Sequence, residues 1–151
     1  MDITLRQRLE TDMKNAMRSG DVLTRDTVRF VLAALKNAEI DHGGPISDKE
    51  GNALLQRQAK RMQESIEQFD AAGRTDLADR EREQIAIVNR YLPEPLTDGE
   101  LDAMVAAAVA EAGAASLKDL GAVMKLLTER ADGRADGRRL SAAVRAALGA
   151  P

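Results

Sequence analysis

Between Leu55 and Phe69 the apolar residues advance by steps of 4, 3, 4 and 3: Leu55, Ala59, Met62, Ile66, Phe69. A β-strand cannot use that spacing, because its side chains change face at every residue. An α-helix puts all five on one side and offers them as a packing seam of heptad type. The helix is the longest in the chain. Ser47 followed by Glu50 has the spacing of a capping box at its start, and Gly73 ends it.

The same period recurs along the rest of the sequence. Thr4 caps a first helix with the stripe Leu5, Leu9, Met13, Ala16 and Met17, and Ser19-Gly20-Asp21 breaks it. A second helix runs from about Val22 to Ile40. It is apolar on more than one side, at Leu23, Val28, Phe30, Val31, Leu32, Leu35 and Ala38, which predicts a central position. Asp41-His42-Gly43-Gly44-Pro45 reads as a loop. Thr75 is expected to cap a fourth helix, with Leu77, Ile85, Val88 and Leu92 inward.

Leu92-Pro93-Glu94-Pro95-Leu96 then stops the pattern. Two prolines one residue apart hold the backbone extended and cannot continue a helix. This sets the expected organisation: an N-terminal helical domain of about four helices over 1–92, a proline linker over 93–96, and a three-helix domain over 97–151. In the last of these, Thr97, Ser116 and Asp136 are the expected caps. Gly121 falls inside the middle helix, where glycine costs about 1 kcal/mol against alanine. Close approach of a neighbouring backbone is the expected reason.

The fold class is therefore all-α. Composition agrees: 44% of residues are apolar, yet the chain has no Trp, one Tyr and two Phe.

Chemistry is harder to find. There is no cysteine, so no thiolate nucleophile or thiolate metal site is available. The single histidine, His42, has no second histidine beside it and reads as structural or solvated. No phosphate-binding glycine loop or nucleophile elbow occurs. Asp76, Asp79, Glu81 and Glu83 could be drawn as a metal cluster, but Arg80 and Arg82 interleave, and a solvated helix face is the better reading. Neither a catalytic residue, a metal site nor a cofactor is assigned. No apolar run reaches the roughly 20 residues of a membrane span, and the first ten residues carry no apolar signal core. The default expectation is a cytoplasmic protein without membrane contact.

Net charge is −3, but it is unevenly placed. Residues 93–117 hold five acidic groups and no basic one. Residues 118–151 hold seven basic and four acidic groups. Arg130 to Leu140 reads RADGRADGRRL. Contact with a folded RNA's backbone needs only such cations. Reading single-stranded bases needs stacking aromatics, which the chain lacks. On composition alone, arginines solvating a turn is the preferred reading.

Longer stretches carry a resemblance. QAKRMQESIEQFDAAGRTDLADREREQIAIVNRYLPEPLTDGEL, DLGAVMKLL and GRADGRRLSAAVRAAL, with TLRQRLETDMKNAMRSGD and LAALKNAEID upstream, resemble the YqeY family, also called GatB/YqeY domain proteins. The resemblance covers essentially the whole chain. It implies an N-terminal helical domain joined near YLP to a three-helix domain similar to the tail of the B subunit of the glutamine-dependent tRNA amidotransferase. That tail helps hold the tRNA body, while amide transfer takes place in another domain with no counterpart here. The family is linked in this way to carbon–nitrogen ligase activity with glutamine as amide donor.

In the family pattern GRADG follows the DLGKVM methionine by nine residues. Nine from Met124 is Gly133, so Gly133-Arg134-Ala135-Asp136-Gly137 is the motif, and the first Ala131-Asp132-Gly133 reads as incidental. Asp136 is then an N-cap, and Gly133 a left-handed residue after the preceding helix. The resemblance implies a tRNA contact at Gly121, Lys125, Arg134, Arg138 and Arg139. Ala122 stands where the family often has Lys, which leaves one cation fewer. The resulting expectation is a non-catalytic module for tRNA or a tRNA-handling enzyme. The alternative is a helical protein–protein adaptor with no RNA role.

Overall fold

The computed structural model describes residues 3–149. Among them are seven α-helices and one short 3-10 turn, and no strand: α1 Leu5–Ser19, α2 Val22–His42, α3 Asp48–Ala71, α4 Thr75–Asn89, α5 Asp98–Ala112, the turn Leu117–Asp119, α6 Leu120–Ala131 and α7 Gly137–Ala147. The chain divides between Leu92 and Pro93 into two compact units, each with its own apolar cluster.

The first unit is made of two helical hairpins, α1 with α2 and α3 with α4, and α2 also packs on α4. Their shared core holds Leu5, Leu9, Val28, Val31, Leu35, Leu55, Ile87, Val88 and Tyr91. Leu9, Val28 and Leu55 are wholly buried, each removing about 1.5–3 kcal/mol worth of apolar surface from water. Local signals set the helix starts. Thr4 accepts the Gln7 N–H at 3.2 Å, with Gln7 reaching back to the Thr4 N–H at 3.0 Å, a complete capping box. Ser47 accepts the Glu50 N–H at 3.1 Å. Asp48 also takes the Leu5 N–H at 3.3 Å, so the first turn of α3 caps the first turn of α1. Gly51 makes this approach possible: a Cβ there would lie 2.9 Å from Leu5 Cδ2 and 3.5 Å from Leu35 Cδ2. Arg6 and Glu39 tie α1 to α2 at 2.6 Å, and Arg82 pairs with Asp70 across the α3–α4 hairpin.

Four expectations need correction in this unit. The second helix runs on through Asp41 and His42, and the loop starts at Gly43. Thr75 is the first residue of α4, not its cap. Arg74 takes the cap position and makes no side-chain cap bond, its guanidinium turning instead to Asp76 at 3.3 Å. Met17 and Phe30 are exposed. Finally, α2 does sit centrally, against α1, α3 and α4, but only one of its sides is buried: Thr24, Thr27, Val28, Val31 and Leu35 form that face, and the opposite face is open.

The second unit packs α5, α6 and α7 pairwise around Leu101, Val105, Ala108, Val123, Leu127, Leu140 and Val144, with Leu96 buried beside them. Thr97 accepts the Glu100 N–H at 3.1 Å and Asp136 the Arg139 N–H at 2.8 Å. Ser116 caps the 3-10 turn, so α6 starts later than expected, at Leu120. This moves Gly121 from mid-helix to the first turn. A Cβ at Gly121 would meet nothing within 4 Å, so no neighbouring backbone accounts for this glycine.

Candidate functional site

The GRADG segment closes the second unit. After Ala131 the backbone turns left-handed at two successive residues, Asp132 with φ 45° and Gly133 with φ 81°. A left-handed conformation is strained for a residue with a Cβ, and aspartate tolerates it better than most. The first Asp-Gly pair is thus the helix stop itself, not an incidental copy. The second pair starts α7, with Asp136 as its cap.

Arg134 sits between them and is fully engaged. Its N–H donates to the Ala131 carbonyl at 2.9 Å, and its carbonyl accepts the Leu96 N–H at 2.8 Å. Its Nε donates to the Glu94 carbonyl and its Nη2 to Glu100 Oε2, both at 2.9 Å. Five residues on, Arg139 Nη2 donates to Asp98 Oδ1 at 2.9 Å. These contacts fasten the proline segment and the first turn of α5 to the turn before α7. The Thr97 hydroxyl, and then the Arg134 guanidinium, hold the Glu100 carboxyl below the usual glutamate range.

The uneven charge of the sequence is therefore cancelled in part in space. Acidic residues of the 93–117 stretch meet basic residues of 118–151 at Glu100–Arg134, Asp98–Arg139 and Glu111–Arg130. Of the five residues singled out from the sequence, the fold brings Arg134 and Arg139 together against α5. Gly121 and Lys125 stand one turn apart on α6, and Arg138 is the second residue of α7; all three are exposed. Neither Lys125 nor Arg138 has an ion-pair partner among the described residues.

A second polar arrangement lies in the first unit, and reading the sequence assigned it no role. Tyr91 is buried, and its hydroxyl donates to Asp12 Oδ2 at 2.5 Å. The Arg8 guanidinium lies 5.3 Å from the ring centroid and donates to the Arg90 carbonyl at 3.4 Å. Burial, and then the neighbouring carboxylate, push the Tyr91 phenol above the usual tyrosine range. Beside it is an open hollow of about 340 Å³ lined by Asp12, Asn15, Ser19, Asp21, Thr24 and Arg90. The Thr24 hydroxyl at 2.7 Å, and then its backbone N–H, hold Asp21 below the usual carboxylate range. The one available signal was a lone tyrosine two residues before a proline in a chain with two other aromatics.

The two hydroxyls that meet carboxylates here serve the packing: Tyr91 is buried against Asp12, and Thr24 holds Asp21, the N-cap of α2. Two of the four carboxylates of α4 are engaged with arginines, Asp76 with Arg74 and Asp79 with Arg82 at 2.7 Å. Among the described residues no group of three or more His, Asp or Glu is placed to hold a metal ion, and no helix is long and apolar enough to cross a membrane.

A family model described as Yqey-like protein matches residues 6–148. The chain belongs to the YqeY family. Curated relatives of this YqeY-family protein carry the name Altered inheritance of mitochondria protein 41, mitochondrial. The protein of that name from Pyrenophora tritici-repentis is 33% identical over 95% of this chain and 80% of its own length. Those from Lachancea thermotolerans and Candida glabrata are 36% and 30% identical over 64% and 61% of this chain. In these two the match spans only about half of the relative's length (54% and 52%).

These names overturn the cytoplasmic expectation, because the relatives are mitochondrial proteins. The expectation rested on a missing apolar core near the N-terminus. That core marks secretory signals, whereas mitochondrial transit segments are amphipathic and arginine-rich.

Proposed function

We propose that this YqeY-family protein acts by binding and not by catalysis, and that its C-terminal unit engages tRNA or a protein that handles tRNA. The observation that carries this reading is the pair of exposed, unpaired cations Lys125 and Arg138, placed on the two helices that flank the GRADG turn. Phosphate contacts need such free cations and little else. Arg134 and Arg139 then have a different part from Lys125 and Arg138: they hold the turn in place. Gly121 leaves the first turn of α6 without a side chain beside Lys125. Carbon–nitrogen ligase activity is left to the family resemblance alone. Because the relatives' names speak of mitochondria, the proposal is not tied to the cytoplasm.

A second reading, a protein adaptor with no RNA role, is favoured by the neutralisation of Arg134 and Arg139 by Glu100 and Asp98. Fluorescence anisotropy with bulk tRNA at two salt concentrations separates the two. Two phosphate contacts predict about a tenfold loss of affinity over a fourfold rise in salt. Lys125→Glu with Arg138→Glu is expected to abolish binding and leave the fold intact. Arg134→Glu is a poor test, because it would also break the clamp on Glu94 and Glu100. An affinity indifferent to the Lys125 and Arg138 pair, or no binding at all, sinks the RNA reading and leaves the adaptor.

A further inference from the structure

The open face of α2 carries a second seam. Val22, Asp26, Arg29, Ala33, Lys36 and Ile40 follow one another by steps of 4, 3, 4, 3 and 4, and all six are exposed. That spacing keeps a stripe on one side of a helix and is the one two helices use to pack together. It lies opposite the buried face of Thr24, Thr27, Val28, Val31 and Leu35. Phe30 stands at its edge. The large apolar side chains here are open to solvent, Val22 at 53%, Phe30 at 66% and Ile40 at 67%. They lie along about 27 Å of one side of the helix, with the charged residues Asp26, Arg29 and Lys36 between them, so the face alternates apolar and charged groups. The chain has two phenylalanines, and one of them is placed here.

The order of residues along the stripe says what fits it. Consider a second copy of the helix laid antiparallel, with the two-fold axis at the level of Val31. Val22 then meets Ile40, Asp26 meets Lys36 and Arg29 meets Ala33, each contact occurring twice. Both apolar ends find apolar partners, the charged contact joins opposite signs, and the two Phe30 rings fall beside the axis. Parallel pairing in register would instead set Asp26 on Asp26, Arg29 on Arg29 and Lys36 on Lys36. Asp26 keeps about half of its side-chain surface (52%) open even with Arg25 bonded to it at 2.9 Å, so it can take a further cation.

We propose that the outer face of α2 is a self-association surface, on which a second copy of this chain docks antiparallel through Val22, Asp26, Phe30, Lys36 and Ile40. Sedimentation equilibrium of the full chain over a concentration series tests it. The mass should rise from 16.3 kDa towards twice that value. Phe30→Glu should weaken association by about tenfold or more. Asp26→Lys and Lys36→Asp should each do the same. The two together should restore it to within about threefold of the parent chain, because they exchange the partners of one contact. All these positions are exposed, so helix content, and melting at a concentration low enough that the parent chain is monomeric, should stay unchanged in every variant, which separates lost association from lost folding. A chain that is monomeric at every concentration overturns the proposal and leaves the face to a partner of another sequence. A dimer indifferent to Phe30, or one that the double exchange does not restore, overturns it as well.

Discussion

Tyr91 joins the start of the YLP sequence to α1 through one hydroxyl. Its phenol is buried and donates a hydrogen bond to the Asp12 carboxylate, so the folded chain favours the neutral form. The sign follows directly. A tyrosine raised above its ordinary value contributes stability that is fully present below about pH 10 and is lost as pH climbs through the raised value. As the chain has a single tyrosine and no tryptophan, its ionisation can be read without interference from another such group. At about pH 11, where a free phenol is mostly ionised, the native protein should show less phenolate absorbance than the unfolded chain. Asp12→Ala should bring ionisation down towards the ordinary range, and Tyr91→Phe should cost about 1 kcal/mol in denaturant unfolding. An ordinary titration curve in the native chain would remove the hydrogen bond from the account. None of this was legible from the sequence, because Asp12 and Tyr91 are far apart in it and each is unremarkable alone.

Helix ends were the most legible elements. Thr4, Ser47, Thr97 and Asp136 cap as their spacing says, because a cap involves only residues three apart. Thr75 failed because the helix starts one residue earlier than its spacing suggests, with Arg74 at the cap position and its guanidinium on Asp76. The face of α2 failed for another reason. Periodicity says which residues are apolar, but not whether a neighbour arrives to cover them, and none covers Phe30. The ion pairs around GRADG were illegible too, since Glu100–Arg134 and Asp98–Arg139 span 34 and 41 residues. Two glycines test the element-scale account. Gly133 has a positive φ, so Gly133→Ala should lower stability by about 1–2 kcal/mol. Gly121 has open space around it in a helical first turn, so Gly121→Ala should be neutral or raise stability by up to about 1 kcal/mol. Equal effects at the two sites in thermal melts would contradict both assignments.

At the scale of the whole molecule, the two apolar clusters share no residue. Leu127→Ala, in the second, should cost that unit about 2–5 kcal/mol. The aromatic residues are just as separate: Phe30, Phe69 and Tyr91 all belong to the first unit, and the second contains no Phe, Tyr or Trp. To ultraviolet light the C-terminal half is therefore invisible near 280 nm, while both halves contribute to the helix band at shorter wavelength. Leu127→Ala should weaken the helix band on heating before the tyrosine band moves, and a simultaneous change in the two would mean that the halves melt as one. The placement of three aromatic residues thus gives the protein an internal label on one half and leaves the other to be measured by difference.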